Sequence, residues 1–218
     1  MYDTILFDLD GTLTDSGPGI TNAVRYALGQ KGYAVPPREE LFSFIGPPLH
    51  VSFQRRCGVD EAGAAELVRT FRVYYNEMGG ILENEVYPGI RELLGELKKA
   101  GKRLVLATSK PQAAAELVMR HFGLDEWIPV IIGGTDDPRR NTKGKVIAWA
   151  LREYGIDPGT AVMVGDREHD VQGAAENGIP AIGITWGYGD RVELEGAGAK
   201  AIFDTPAETA EYILRGSF

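Results

Sequence analysis

The chain has 218 residues, 44% hydrophobic and 25% charged, the balance of an ordinary globular protein with enough length for a substantial core or for one domain carrying an insertion. A formal net charge of −8 argues against a nucleic-acid polymer or an anionic membrane as the main partner, although a cation, lysines and backbone N–H groups can still reverse the sign of one pocket. One cysteine, Cys57, excludes an intramolecular disulfide, fits a reducing cytoplasm and reads as a small packing residue; with only three histidines beside it, a zinc site of the usual kind is excluded too.

In chain order, Tyr2 to Leu9 is the first apolar run and reads as a buried strand through Ile5, Leu6, Phe7 and Leu9. No basic-then-apolar leader is expected around Asp3 and Asp8, and no run approaches the roughly 20 apolar residues that cross a membrane. Asp8 and Asp10 close this strand two residues apart, which puts both carboxylates on one face of an extended chain. Asp10-Gly11 alone is an ordinary turn signal. Two acids ending a central-looking strand need a partner or a metal, because an unpaired buried carboxylate is costly.

From residue 16 to 85 the sequence reads as helices joined by turns. Ile20, Val24, Ala27 and Leu28 share a face, with Pro18 near the start and Gly32 past the end. Pro36-Pro37 opens a segment bearing Leu41, Phe42 and Ile45; Gly46-Pro47-Pro48 breaks it, and a short helix follows from Leu49 to Arg56. Asp60 caps a longer helix whose core face carries Ala64, Leu67, Val68, Phe71, Tyr75 and Met78, ended by Gly79-Gly80.

From Val86 the pattern alternates helix and strand. Pro88-Gly89 leads into a helix with Ile90, Leu93, Leu94 and Leu97, stopped at Gly101. Strands are expected at Arg103–Ala107, Trp127–Ile132, Ala161–Val164 and Ala181–Ile184. Between them lie a helix set by Pro111 with Ala114, Leu117 and Val118, a helix opened by Lys143 with Val146, Ile147, Ala150, Leu151 and Tyr154, and one ending near Gly178. This is an α/β fold with a doubly wound, mainly parallel sheet formed by residues 1–15 and 86–218, into which an all-helical cap of residues 16–85 is inserted. Ligands gather at the carboxyl ends of such strands, where Asp8, Asp10, Thr108 and Asp166 fall, and the insertion is expected to hang over that crevice as a lid. Trp186-Gly187-Tyr188-Gly189 reads as a turn after a strand that could also line the crevice, and it is left out of the site.

Four stretches in order carry a family resemblance: Asp8-Leu9-Asp10-Gly11-Thr12-Leu13, Leu104 to Pro111 ending Thr108-Ser109-Lys110-Pro111, Thr142-Lys143 at a helix start, and Val164-Gly165-Asp166-Arg167-Glu168-His169-Asp170 with Gly173-Ala174 and Asn177-Gly178-Ile179. Together they resemble the haloacid dehalogenase superfamily, in its phosphoglycolate-phosphatase-like and 5′-nucleotidase-like branch. The resemblance implies a Rossmann-like core and a Mg²⁺-dependent phosphatase acting on a small phosphorylated metabolite. Asp8 is then the nucleophile that forms an aspartyl-phosphate, and Asp10 the acid and base. Thr108, Ser109, Lys143 and the backbone after Asp8 through Leu9 and Asp10 hold the phosphate. The metal falls to Asp8, the Asp10 carbonyl, Asp166 and, directly or through water, Asp170.

Alternatives stay open at several positions. Thr108 and Asp170 could each cap a helix, and Lys145 competes with Lys143. The second acid, Asp10, separates phosphate chemistry from the related dehalogenases, and Lys31 at a helix end does not suit the Schiff-base lysine of phosphonate-cleaving relatives. Phe44-Ile45-Gly46-Pro47-Pro48-Leu49 resembles a cap loop that aims at substrate, or else only joins two helices; Arg55 and Arg56 are left as exposed charges. A phosphomutase or pyrophosphatase on the same scaffold, or a receiver-like phosphate-binding module, competes with the phosphatase. No oligomeric state follows from the sequence.

Overall fold

The computed structural model describes residues 2–46 and 48–215; Pro47, in the proline bend noted above, lies outside them. The chain divides into two compact units, Met1–Thr14 with Val86–Phe218, and Asp15–Glu85.

The first unit begins with β1 (Thr4–Phe7), every residue of which is buried. The chain leaves this unit through the two-residue strand β2 (Thr14–Asp15) and returns through β3 (Glu85–Val86). The sheet is completed by β4 (Arg103–Pro111), β5 (Val130–Gly134), β6 (Ala161–Gly165), β7 (Ala181–Ile184) and β8 (Ala201–Phe203), in the order β5-β4-β1-β6-β7-β8 with every pairing parallel. Thr4 lies opposite Arg103 on one side and Ala161 on the other, and Phe7 opposite Leu106 and Val164. Strand order reverses beside β1, the switch point at which α/β sheets collect ligands.

Parallel neighbours require helical crossovers, here α5 (Ile90–Lys99), α6 (Gln112–His121), α7 (Lys143–Glu153), α8 (Glu168–Glu176) and α9 (Arg191–Ala197), and α10 (Pro206–Arg215) follows the last strand. Alternate strand residues Leu6, Val105 and Met163 pack with Val146, Ile147 and Ala150 of α7 and Val171 and Ala174 of α8. Ile5, Phe7, Leu104, Leu106, Val162 and Val164 project to the opposite face and are equally buried. A sheet covered on both faces needs such continuous apolar strands.

Several elements differ from the sequence reading. β5 begins at Val130 rather than Trp127, so the Trp127 and Ile128 side chains belong to the preceding turn. Leu117 and Tyr154, placed above on core faces, are exposed; Ala115, Val118 and Met119 take the buried side of α6. β8, α9 and α10 lie beyond Ile184, the end of the last expected strand. The largest difference is β4, which runs to Pro111, four residues past the expected end.

In the second unit, α1 (Gly17–Gln30) buries Ile20, Ala23, Val24, Ala27 and Leu28. α2 (Arg38–Leu41) and a 3₁₀ turn (Phe42–Phe44) precede α3 (Leu49–Cys57), whose Phe53 meets Phe44 at 5.1 Å between ring centroids. Asp60 caps α4 (Glu61–Arg72), accepting from the Gly63 N–H at 2.8 Å, and a π-helical turn carries the chain on to Glu77. Met78 lies beyond that turn and is exposed, unlike Phe71 and Tyr75. Lys31 ends α1 and pairs with Glu66 at 2.6 Å, as a surface lysine does. Among the described residues no helix is long and apolar enough to cross a membrane.

Because Phe7 is fully buried in the central strand, Phe7→Ala should lower unfolding free energy by about 3–5 kcal/mol. Urea denaturation measures this; a loss below about 1 kcal/mol would show that β1 is not the packed centre of the sheet.

Candidate active site

Asp8 follows β1 directly, anchored by its N–H to the Val164 carbonyl at 3.0 Å. The chain then coils tightly: the Thr12, Leu13 and Thr14 N–H groups all donate to the Leu9 carbonyl, and Gly11 turns with φ at +86°. A side chain at Gly11 would also collide with the Asp166 carboxylate, its Cβ 2.3 Å from Oδ2. The glycine is thus needed for its backbone angle and for its missing side chain. The Leu9 and Asp10 N–H groups have no partner among the described residues and remain free to donate.

Lys143, the first residue of α7, reaches into this turn. Its Nζ donates to the Ala107 carbonyl at 3.1 Å and forms ion pairs with Asp8 Oδ1 at 2.7 Å and Asp170 Oδ1 at 2.8 Å. Burial alone would depress this ammonium; the Asp170 and Asp8 carboxylates outweigh it and hold the lysine above its ordinary value. Lys145 is exposed and bonds Asn141, so of the two lysines only Lys143 meets the acids.

Asp170 divides its carboxylate between two tasks. Oδ2 accepts from the Arg167 N–H at 3.1 Å and caps α8, while Oδ1 meets Lys143. Capping and site membership, alternatives in the sequence, coexist in one side chain. Its carboxyl is pushed up by burial, against the pull of Lys143. Asp166, just past β6, is fully buried and pushed up to about 8, first by burial and then by the Asp170 and Asp8 charges, with the Tyr188 N–H opposing. Asp166 Oδ2 accepts from that N–H at 2.8 Å, and Oδ1 from the Thr12 hydroxyl at 3.3 Å.

The loop left out of the site is therefore part of its wall. A Cβ at Gly187 would lie 2.2 Å from the Gly11 carbonyl, and one at Gly189 1.9 Å from the Asp166 carbonyl. Trp186 Nε1 donates to the Thr12 carbonyl at 3.0 Å. Two glycines flanking an aromatic after a strand were the available signal, here a demand for close backbone approach rather than for a turn alone.

Asp8, Asp166 and Asp170 each offer an oxygen, all within 4.8 Å of one another. With all three ionised, Lys143 leaves a deficit of two positive charges. An all-oxygen, acidic and mutually repelling set matches a hard divalent cation such as Mg²⁺. The Asp10 carboxylate stands apart from this set and instead pairs with Lys110 at 2.9 Å. Thr108 is buried, its Oγ1 accepting from the Lys110 N–H at 3.2 Å, which leaves its hydroxyl proton to donate; Ser109 next to it is exposed.

Comparisons with known proteins agree with this geometry. A family model described as haloacid dehalogenase-like hydrolase matches residues 5–184. A 5′-nucleotidase of Pseudomonas aeruginosa is 42% identical over 193 residues, covering 88% of this chain and 87% of the relative. The tyrosine-protein kinase PtkA of Mycobacterium tuberculosis is also 42% identical over 185 residues, covering 85% of this chain; the chain spans only 62% of that relative's length. The crystal structure of a predicted phosphatase from Clostridium acetobutylicum superposes with a TM-score of 0.93 at 41% identity, covering 99% of this chain and 100% of the other.

The crowded carboxylates yield a test. Above about pH 8, where the Asp166 carboxyl is ionised, Asp166→Asn removes one of three repelling charges while keeping its shape and should raise the melting temperature measured in chelator. Added Mg²⁺ at a hundredfold over its dissociation constant should stabilise the parent by about 2.7 kcal/mol and the variant hardly at all. Equal Mg²⁺-induced shifts in both would rule Asp166 out as a ligand.

Proposed function

The chain belongs to the haloacid dehalogenase-like hydrolases, and from that premise we propose that it is a Mg²⁺-dependent phosphatase that hydrolyses a small phosphate monoester through an aspartyl-phosphate on Asp8. The observation that carries this reading is the end of β1: one carboxylate ion-paired to a buried lysine, a second two residues on, and two unpartnered N–H groups between and beside them.

A phosphate dianion repels a carboxylate, so neutralisation comes first. Lys143 offsets charge at Asp8; the Leu9 and Asp10 N–H groups and the Thr108 hydroxyl donate to phosphoryl oxygens, with Ser109 too exposed to share that task in this conformation. Asp8, Asp166 and Asp170, with the Asp10 backbone carbonyl, would hold Mg²⁺, which when bound supplies further neutralisation of the phosphoryl group. An Asp8 oxygen attacks phosphorus as the ester P–O bond breaks, and Asp10, entering this step as the carboxylic acid rather than the carboxylate, gives its proton to the departing alkoxide. Asp10, now a carboxylate, takes a proton from a water whose oxygen attacks phosphorus, releasing phosphate and restoring Asp8. The likeness to the 5′-nucleotidase over nearly all of both chains makes nucleoside 5′-monophosphates the first substrates to try, with phosphoglycolate next. A small anion in a reducing cytoplasm fits the charge and cysteine content.

A second reading, phosphoryl transfer to an acceptor other than water, draws its support from the likeness to PtkA. The same aspartyl-phosphate would then be passed to a hydroxyl.

Phosphate release should be measured across nucleoside monophosphates, phosphoglycolate, sugar phosphates and pyrophosphate, with Mg²⁺ and with chelator. Release that requires Mg²⁺ and favours one monoester is expected, and Asp8→Asn should reduce it by at least about 10⁴-fold without lowering the melting temperature. Retained turnover in Asp8→Asn contradicts the nucleophile assignment, and transfer to a tyrosine peptide without phosphate release favours the second reading.

A further inference from the structure

Lys110 has no role in the chemistry so far. It is nine-tenths buried, and its Nζ donates to both oxygens of Asp10, at 3.0 and 2.9 Å. A carboxylate held at both oxygens by one ammonium has its plane and direction restricted, whereas Asp10 sits on a turn and keeps some exposure.

The fold goes to some length to place this lysine. β4 continues past Ala107 to Pro111 through a register irregularity against β5, with Pro111 opposite Gly134. That continuation passes so close to β5 that a Cβ on Gly133 would lie 2.8 Å from the Lys110 carbonyl, and one on Gly134 2.6 Å from the Ser109 carbonyl. Thr108 and Lys110, two apart on an extended chain, are both buried, while Ser109 between them is exposed. The Thr108 hydroxyl further fixes the Lys110 backbone by accepting its N–H. One strand extension thus supplies a phosphoryl donor and a holder for the acid side by side.

We propose that Lys110 is a positioning residue that fixes the Asp10 carboxylate for proton transfer to and from the reacting oxygens; this rests on the reading of Asp10 as acid and base. Asp10 alone touches the substrate oxygen, and Lys110 acts through it.

The test compares kcat/KM, which reports formation of the intermediate, for p-nitrophenyl phosphate and for the alkyl phosphate turned over fastest in the panel above. The aryl ester needs little help from an acid, whereas the alkyl ester depends on it. Lys110→Met should lower kcat/KM for the alkyl ester by roughly 10- to 100-fold and leave the aryl ester within a few-fold. Lys110→Arg should recover part of the loss, and Lys110→Met should cost almost nothing more in an Asp10→Asn background. Equal losses on both esters, or a raised KM with no leaving-group dependence, overturn the proposal in favour of phosphate contact or plain structural support. If Lys110→Met does not fold, Lys110→Gln is judged by the same ratio. If Asp10→Asn itself shows no leaving-group dependence, the reading of Asp10 fails and the Lys110 proposal falls with it; if Asp10→Asn shows the dependence and Lys110→Met does not, the Lys110 proposal fails alone.

Discussion

One buried ammonium organises the core of this protein. Lys143 joins the end of β1 through Asp8, the strand β4 through the Ala107 carbonyl and the start of α8 through Asp170. A buried charge is tolerable only when paired, and here the partners come from the ends or interior of β1, β4 and α8, far apart in the chain. Lysine without the acids, or the acids without lysine, would leave uncompensated charge in a place with no bulk water. The parallel sheet must therefore bring these elements into register before any of the charges can be buried together, so the fold and the site are one arrangement.

The arrangement is also deliberately incomplete. One ammonium cannot balance Asp8, Asp166 and Asp170, and burial, reinforced by the Asp170 and Asp8 charges, holds Asp166 up to about 8. Like charges gathered by rigid strand and helix ends suit a divalent cation, which under the proposed chemistry would relieve their repulsion. The glycines at 11, 187 and 189 serve the same end, because each removes a side chain that would collide with Asp166 or with the backbone at the Asp8 turn. Asp10 is kept out of this cluster and held by a different lysine, which separates its carboxylate from the groups around Lys143.

Much of this was legible in the sequence because its signals were local. Two acids two residues apart after an apolar run, a lysine opening a helix, and Gly-Asp after another apolar run each imply a strand end or helix start, and a parallel sheet gathers such ends on one edge. The assignment of Lys143 over Lys145 agreed with the helix register. What escaped notice was non-local. The extension of β4 to Pro111 depends on Gly133 and Gly134 of a different strand, so Lys110 read as part of a loop. Gly187 and Gly189 read as turn formers because nothing in their own stretch reveals that Asp166 passes within contact. Ser109 was expected to share the phosphate with Thr108, but the strand extension buries Thr108 and exposes Ser109.

The proposed chemistry turns on a covalent phosphoryl group at Asp8. The decisive experiment mixes the Asp10→Asn variant, in which breakdown of the intermediate should be slowed, with substrate and Mg²⁺, quenches in acid within milliseconds and maps the peptides by mass spectrometry. Near-stoichiometric phosphorylation of the peptide containing Asp8 is expected, located on that side chain and absent when Asp8 is also replaced by Asn. A phosphoryl group on another residue, or an unmodified Asp8 in a variant that continues to release phosphate, would contradict it.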